Sequence, residues 1–257
     1  MMKTRVISGL VGLVLLFTVV INGGILLNIS ILILSFIGLY EFNNAVKKIN
    51  NLKPVNIANY FLTIGIFFIT LTHEYEYFQL ILFVYVIALL ITFVINERVS
   101  LNDLGVTVLG GLYVPFFISH ISLLRESKYI WLVFITAFAT DTFAYFIGVK
   151  FGKRKLCPKL SPKKSIEGSI AGVVGSLIVT IAYAYIFKLN HIAILSILSI
   201  ICSIMAQIGD LTASRIKRIA GIKDYGNIMP GHGGVLDRFD SILFTAPIVY
   251  YYITYFI

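Results

Sequence analysis

The sequence predicts an all-α polytopic membrane protein with about nine transmembrane helices. Of its 257 residues, 58% are hydrophobic and only 13% are charged, whereas soluble domains carry about 25% charged residues. The apolar residues also gather in long runs, and about 20 apolar residues cross a bilayer as a helix. We therefore expect a single integral membrane domain, residues 1–257, with no internal repeat.

The apolar runs cover roughly residues 5–21, 25–40, 57–72, 78–95, 104–124, 129–149, 169–187, 191–210 and 240–257. The first run is long, lacks an A-x-A-like cleavage site after it and is followed at once by a second run. We therefore interpret it as a retained span and not as a signal peptide.

The distribution of basic residues predicts the orientation of the spans. A cytoplasmic N-terminus places 18 of the 21 Lys and Arg residues, among them Lys3 and Arg5, in cytoplasmic segments, as the positive-inside rule requires. The C-terminus is then external, where Tyr250, Tyr251 and Tyr252 suit an aromatic belt. This topology accounts for the net charge of +9 without a nucleic-acid partner. We expect the protein in the cytoplasmic (inner) membrane of the cell.

The two halves of the chain differ in their polar residues. Residues 1–128 are chemically sparse and are predicted to be a helical scaffold, in which Glu41 ends the second span. His120, inside the fifth span, is interpreted as a hydrogen-bonded packing residue. Residues 129–257 carry most of the chemically distinctive side chains and are predicted to be the catalytic half, with an active site on the cytoplasmic face.

Asp141 is the first unusual residue of the catalytic half. It lies roughly 12 Å from the cytoplasmic end of the sixth span at 1.5 Å per residue. Carboxylates at such depth usually face a bundle interior or a wet cavity and serve function. The alternative is a structural partner for a buried Lys or Arg.

A basic connector follows at residues 150–169, with seven basic residues against one acid, Glu167. Such charge suits topology and anionic lipid headgroups, but the pattern S-P-K-K-x-x-E-G indicates more. Ser165 or Ser161 is expected to cap the next helix, with Glu167 in its first turn. Lys163 and Lys164 beside that helix N-terminus would make a phosphate site.

The longest polar stretch, residues 209–240, contains four carboxylates and five Lys or Arg. Ser214, Lys217 and Arg218 share one helical face if the eighth helix continues past Asp210. Gly221 is then expected to end that helix.

A glycine-rich segment completes this stretch. Glycines on both sides of His232 let the backbone approach a ligand closely. His232 itself is either a base or phosphate contact, or a residue that fixes the loop by a hydrogen bond. Asp237 and Asp240, three residues apart, are expected on one face of the start of the last helix.

These residue types are those of phosphoryl-type transfer at a membrane surface. Carboxylates without Cys or paired His favour Mg²⁺ or Mn²⁺, and one or two ions could act. Basic side chains would bind phosphate groups, since in this chemistry the protein mainly positions groups and neutralises charge.

The segment S-x-I-K-R-x4-K-D-x-G-x3-P-x-H-G-G-V-x-D-R-F-D, residues 214–240, closely resembles the signature of the phosphatidate cytidylyltransferase (CDP-diacylglycerol synthase) family. The pairs Asp141-Thr142 and Ala144-Tyr145 and the run S-P-K-K-S-I-E-G agree with it. One departure is Ala213, where members usually carry Glu. The resemblance implies a nucleotidyltransferase that converts CTP and phosphatidate to CDP-diacylglycerol and pyrophosphate with Mg²⁺, as a homodimer in the bilayer.

The resemblance also suggests roles for individual residues. The expected metal ligands are Asp210 and Asp237 first, followed by Asp240, Asp224 and Asp141. The expected phosphate contacts are Lys217, Lys223, Arg218, Arg238, Ser214 and His232, with Lys163 and Lys164 closing over the triphosphate. We expect Asp210, Asp237, Lys217 and Lys223 to be the catalytic set.

Two alternatives remain. Another lipid-linked phosphotransferase is possible in principle, although the D-x2-D-G-x2-A-R pattern of CDP-alcohol phosphotransferases is absent. A transporter or flippase for anionic lipids usually shows two related halves with interrupted helices. Here the polar residues concentrate at one end of the chain and one predicted face, which favours an enzyme.

Overall fold

A computed structural model gives the fold of the protein. The structure describes residues 2–125 and 127–257, and it describes side chains from residue 6 onward. The predicted membrane orientation also depends on Lys3 and Arg5, whose side chains lie outside the part of the chain with described side chains.

The described chain is mostly helical. The N-terminal α-helices are α1 (Met2–Asn22), α2 (Gly24–Val46), α3 (Asn56–Thr72), α4 (Phe78–Ile95), α5 (Leu101–Gly111) and α6 (Phe117–Leu123). A 3-10 turn, Tyr75–Tyr77, precedes α4, and a π-helical turn, Leu112–Phe116, joins α5 to α6. The later helices are α7 (Ile130–Phe151), α8 (Ile166–Ile186), α9 (Ile192–Ile219) and α10 (Leu236–Phe256).

The predicted class of a helical polytopic membrane protein is confirmed. In the described part of the chain, six helical segments are long and apolar enough to cross a membrane: Gly24–Val46, Tyr75–Ile95, Leu101–Leu123, Ile130–Phe151, Ile166–Ile186 and Ile192–Ile219. Two shorter apolar helices cover Val6–Asn22 and Asn56–Thr72. Every predicted span therefore coincides with helix, while the number that crosses the bilayer stays a prediction.

The helix ends near the polar stretch lie where the chemistry of the sequence indicates. Helix α9 continues nine residues past Asp210 to Ile219, which confirms the expected extension. Gly221 follows with φ +66°, the left-handed conformation that glycine adopts without strain at a helix end. Helix α10 begins at Leu236, before the apolar run that starts at residue 240, so Asp237 and Asp240 both lie at its start, as expected.

A short antiparallel hairpin was not predicted. Strand β1 (Lys155–Cys157) pairs with β2 (Ser161–Ser165), with Cys157 opposite Ser161 and Lys155 opposite Ser165. The hairpin lies within the basic connector, where the apolar alternation that usually reveals a strand is missing.

The described chain divides into two compact units. One division lies between α6 and α7, and the other two fall within α9 and α10. The first unit comprises residues 1–126 and 216–238, and the second comprises residues 127–215 and 239–257.

In the first unit, a buried cluster joins α3, α4 and α5 through Leu62, Ile66, Tyr85, Leu89 and Leu104. The Tyr85 hydroxyl oxygen lies 2.6 Å from Asn59 Oδ1 and 3.0 Å from the Thr107 carbonyl oxygen, so its single hydrogen is shared between two acceptors. These bonds satisfy polar groups inside an apolar unit, where unpaired ones are costly.

His120 behaves as the sequence indicates. It is 1% exposed, and its Nδ1 lies 2.8 Å from the Phe116 carbonyl oxygen. Its ring also packs edge-to-face against the Phe116 ring, with 5.0 Å between the ring centroids. The prediction of a hydrogen-bonded packing residue is confirmed.

In the second unit, α7 and α8 approach closely through small residues. A Cβ atom on Gly168 would lie 2.7 Å from the Ala144 carbonyl oxygen and 3.0 Å from Gly148 Cα. Small residues of this kind let helix backbones meet in a membrane, where packing replaces the hydrophobic effect between helices. This contact fixes the N-terminal end of α8, directly after the strand that carries Lys163 and Lys164, against α7.

Candidate active site

The basic hairpin of the second unit leads directly into α8. The Ser165 hydroxyl accepts a hydrogen bond from the Gly168 backbone N–H at 3.1 Å and caps the helix. The Glu167 carboxylate accepts from the backbone N–H groups of Lys153 at 3.0 Å and Arg154 at 3.2 Å. The predicted cap is therefore confirmed for Ser165 and not for Ser161, which lies at the start of β2.

A cavity of about 560 Å³ opens beside this hairpin, within the range of 300–1,000 Å³ typical of small-molecule sites. Its charged lining consists of Asp141, Lys155, Lys163, Lys164 and Asp210. Apolar side chains also line it, and two of them, Tyr145 and Val149, are largely exposed. The cavity thus combines a cationic lining, suited to phosphate groups, with an apolar margin.

Carboxylates and lysines meet at this cavity. Lys164 Nζ forms an ion pair with Asp210 Oδ2, and both side chains are about one-quarter exposed. Asp210 Oδ1 also accepts from the Ser214 hydroxyl, one turn further along α9, at 3.4 Å. Asp141 Oδ2 accepts from the Ser241 hydroxyl at 3.4 Å. The structure therefore brings Asp141, Lys163, Lys164 and Asp210 to one cavity, as the prediction of a shared site requires.

The cavity also has polar residues that sequence reasoning missed. Gln207, one turn before Asp210 on α9, lines the cavity. It accepts a hydrogen bond from the Ser169 hydroxyl at 2.5 Å and donates to the Ser169 carbonyl at 3.3 Å. A glutamine at the end of an apolar run was the available signal.

A second cluster lies in the first unit, around Asp237. Lys217 Nζ donates to Asp237 Oδ1 at 2.7 Å, and the side chains are 15% and 2% exposed, respectively. Asp237 Oδ2 accepts from the backbone N–H of Tyr225 at 2.7 Å and of Gly234 at 2.9 Å. Lys217 Nζ also lies 5.5 Å from the centre of the Tyr225 ring. Asp237 therefore ties the end of α9, the glycine-rich loop and the start of α10 together.

The glycine-rich loop contains a tight turn at its centre. Met229 and Gly233 exchange backbone hydrogen bonds of 2.9 and 3.1 Å, and Gly233 has φ +89°. His232 Nδ1 lies 2.8 Å from the Ser8 hydroxyl oxygen of α1, and Arg238 Nε donates to the His232 carbonyl at 2.9 Å. The His232 side chain thus has the loop-fixing contact that was one of its two predicted roles.

The remaining predicted residues lie on exposed segments. Arg218 lies on the last turn of α9, and Lys223 and Asp224 lie in the following segment; all three are exposed. Asp240 Oδ1 accepts from the Ser241 backbone N–H at 2.7 Å. Among the described residues, His, Cys, Asp and Glu side chains form no group of three or more that could hold a metal ion.

Glu41 is a buried carboxylate at the glycine-rich loop to which the sequence analysis assigns no role in the site. Its carboxylate is 2% exposed and accepts from the backbone N–H groups of Val235 at 3.0 Å and Leu236 at 2.9 Å. Like Asp141, Glu41 is a carboxylate within an otherwise apolar span, and such residues usually serve function.

Comparison with known proteins places this geometry in a family. Residues 3–256 match the family described as the cytidylyltransferase family. A phosphatidate cytidylyltransferase of Bacillus subtilis (strain 168) is 29% identical over 269 residues, covering 99% of this chain and 98% of the relative. Phosphatidate cytidylyltransferases of Staphylococcus aureus (strain COL) and Staphylococcus haemolyticus (strain JCSC1435) are 35% and 33% identical, each covering 96% of this chain and 97% of the relative. Because the match extends over nearly every residue, the chain belongs to the cytidylyltransferase family.

Proposed function

We propose that this protein transfers the cytidylyl group of CTP to phosphatidate, giving CDP-diacylglycerol and pyrophosphate for phospholipid synthesis. The observation that carries the proposal is the full-length similarity to proteins named phosphatidate cytidylyltransferase. The cavity supports it, because its lysines suit phosphate groups and its margin carries exposed apolar side chains. The protein is accordingly a nucleotidyltransferase whose two substrates are both polyanions.

In the proposed reaction, a phosphate oxygen of phosphatidate attacks the α-phosphorus of CTP. The bond between that phosphorus and the oxygen bridging to the β-phosphorus breaks, and its electron pair leaves with pyrophosphate. The lipid phosphate is anionic at neutral pH, so the attack needs no strong general base. The protein's contribution is to position the two phosphates and to neutralise the charge that repels them.

Lys163 and Lys164 line the cavity and are assigned to the triphosphate of CTP. The ion pair of Lys164 with Asp210 holds this lysine in place until substrate binds. Lys217, Arg218, Lys223 and Arg238 are assigned to substrate phosphates because they belong to the same motif, with Ser214 and His232 as further polar contacts.

The carboxylates at the cavity are the groups that would bind Mg²⁺. Mg²⁺ is usually held by one or two carboxylates together with substrate phosphates and waters, so a cluster of three protein ligands is not required. Asp141 and Asp210 line one cavity, and Asp210 remains partly exposed. These two carboxylates fit the ion, and Asp240 and Asp224 are further candidates. When bound, the ion would neutralise charge on the leaving pyrophosphate; Mn²⁺ suits the same ligands.

Asp237 fits a metal less well than the sequence suggested. Lys217 Nζ and the N–H groups of Tyr225 and Gly234 already donate to its two oxygens. A carboxylate offers about four acceptor positions, so roughly one remains. We therefore assign Asp237 primarily to holding Lys217 and the loop, and its role as a metal ligand stays a prediction.

The membrane arrangement is part of the proposal. Nine spans with the N-terminus inside would bring the polar stretch and the basic hairpin to the cytoplasmic face, where CTP is available. Phosphatidate would then enter laterally from the inner leaflet of the cytoplasmic membrane, past apolar residues such as Tyr145 and Val149. A homodimer is proposed on family resemblance alone.

The test is pyrophosphate release by detergent-purified protein supplied with CTP, phosphatidate and Mg²⁺, with controls that omit each one. The expected result is release that requires all three. Release with CTP and a different lipid acceptor would retain the site and change the substrate. Absence of release from demonstrably folded protein would refute the proposed reaction and favour transport of anionic lipids.

A further inference from the structure

Glu41 makes a two-pronged contact with the start of α10. Its Oε1 accepts from the Val235 N–H and its Oε2 from the Leu236 N–H. Leu236 is the first residue of α10, and the first N–H groups of a helix have no partner within the helix. A carboxylate at that position satisfies two donors at once and interacts favourably with the positive end of the helix dipole.

The same carboxylate determines where the loop backbone can pass. A Cβ atom on Gly226 or on Gly234 would overlap the Glu41 carboxylate. Both segments of the loop therefore come within contact distance of one buried side chain on α2, and a larger residue at either position would have to displace the Glu41 carboxylate or the loop backbone. The glycines are needed at these positions because of close approach, and not because of their backbone angles: a left-handed φ occurs instead at Gly231 and Gly233.

The contact is connected to the charged cluster through the backbone. Leu236, which donates to Glu41, directly precedes Asp237, and Gly234 donates to Asp237 Oδ2 at 2.9 Å. Asp237 in turn accepts from Lys217 Nζ. A shift of residues 234–236 would therefore move Asp237, which accepts from Lys217, and also the Gly234 N–H group, which donates to Asp237.

A buried carboxylate is costly unless its oxygens are hydrogen-bonded. Two backbone N–H groups offset part of this cost for Glu41. A neutral amide would avoid the cost of burying a charge but could accept from only one of the two N–H groups, and an apolar residue would leave both unpaired. The acceptor geometry of Glu41, with one oxygen for each of two successive N–H groups, matches a role in fixing the loop.

We propose that Glu41 is a positioning residue of the active site, which holds the glycine-rich loop so that Asp237 presents Lys217 to a substrate phosphate. Helix α2 is then part of the catalytic apparatus. The inference rests on the proposed function for its catalytic consequence, whereas its structural consequence, the fixing of residues 233–237, is independent of the reaction.

Ser8 of α1 secures the same loop at a second point. Its hydroxyl donates to the Pro230 carbonyl at 3.0 Å and lies 2.8 Å from His232 Nδ1. This contact is on the partly exposed tip of the loop, while Glu41 holds its buried end. We expect loss of Ser8 to affect loop order less than loss of Glu41, because neutral hydrogen bonds are weaker than charge-assisted ones.

The experiment compares Glu41→Gln and Glu41→Asp with Ser35→Ala in detergent-purified protein. Ser35 is a matched control because it is a buried polar residue of α2, 2% exposed, and its hydroxyl donates within that helix to the Ile31 carbonyl. Hydrogen exchange is followed at the amides of residues 225–237 and of α2. Pyrophosphate release supplies kcat and the KM for CTP.

In Glu41→Gln the amide oxygen can accept only one of the two N–H bonds, since the NH₂ group donates. We expect amide exchange at residues 234–236 to rise about tenfold or more, with α2 unchanged, and kcat to fall by a similar factor, consistent with the strength of a charge-assisted bond. Glu41→Asp keeps the charge and should recover part of both. Ser35→Ala should change neither.

Unchanged exchange at residues 234–236 in Glu41→Gln would overturn the proposal. So would a general rise in exchange that includes α2, because that would indicate only a structural role. If the wild-type protein releases no pyrophosphate, the proposed reaction fails, but selective exchange at the loop would still support the positioning of residues 234–236 by Glu41.

Discussion

Lys217 and Asp237 form a largely buried ion pair, with 2.7 Å between Nζ and Oδ1. Twenty residues separate them in the chain, and the polar loop between them returns so that Tyr225 and Gly234 also donate to the Asp237 carboxylate. The ion pair therefore connects the two ends of the loop, and Asp237 accepts most of the hydrogen bonds that hold it closed.

This arrangement predicts energetic coupling between the two residues. Lys217→Met leaves a buried carboxylate without its cation and should lower the free energy of unfolding by on the order of 3 kcal/mol. The double variant Lys217→Met/Asp237→Asn should lose less than the sum of the two single variants. Thermal unfolding in detergent measures both, with the exposed Lys159→Met as control. Simple additivity would show that the pair is not coupled.

Asp210 is predicted to be required for turnover. Asp210→Asn keeps the shape of the side chain but removes the charge that pairs with Lys164 and that would bind Mg²⁺. We expect kcat for pyrophosphate release to fall on the order of 100-fold or more, with the thermal midpoint nearly unchanged. Glu97→Gln, an exposed carboxylate of the first unit, should retain full activity. Near-normal turnover by Asp210→Asn would remove Asp210 from the catalytic set.

Lys223 is predicted to contribute to phosphate binding and little to folding, because it is exposed. Lys223→Ala should raise the KM for CTP or for phosphatidate several-fold, since one cation near the substrates is lost. Titration of each substrate in the release assay distinguishes the two. Lys128→Ala, another exposed lysine, should leave both KM values alone. If Lys223→Ala has unchanged kcat and KM, Lys223 contributes only to membrane topology.

Gly234 is predicted to be sensitive to an added side chain. In Gly234→Ala, the new Cβ would overlap the Glu41 carboxylate, so the Glu41 side chain must leave its two N–H donors or the loop must shift. Overpacking of this kind costs about 1–3 kcal/mol, and turnover should fall with it. Gly105→Ala is the matched control, because among the described residues no atom outside its own turn of helix lies within 4 Å of a Cβ at that position. Equal behaviour of the two variants would contradict the close approach at Gly234.

Residue patterns along the chain were sufficient for the local features of the site. Continuation of α9 past Asp210, its end at Gly221 and the cap at Ser165 all depend on interactions within a few residues. The hairpin at residues 155–165 was missed, because its sequence is basic and shows no alternation of apolar and polar residues.

Long-range pairings could not be predicted in the same way. Glu41 contacts Val235 across 194 residues, and Ser8 contacts His232 across 224. Glu41 accepts from the loop backbone, and Ser8 bonds to the Pro230 carbonyl and the His232 ring of the loop. The path of the loop depends on how α1, α2 and the loop pack. No spacing rule relates such residues, so Glu41 was interpreted only as the end of a span.

The sequence by itself determined that this is a helical membrane protein, and it predicts that the chemistry lies in the basic connector and the polar stretch. Composition and motif spacing are sufficient for this, because a bilayer admits few backbone arrangements and phosphate chemistry requires few residue types. Only the tertiary structure decided that Asp210 pairs with Lys164, that Asp237 is enclosed by donors and that Glu41 holds the loop. These facts depend on which donors reach each carboxylate, and for the buried Asp237 and Glu41 an unpaired carboxylate would be costly.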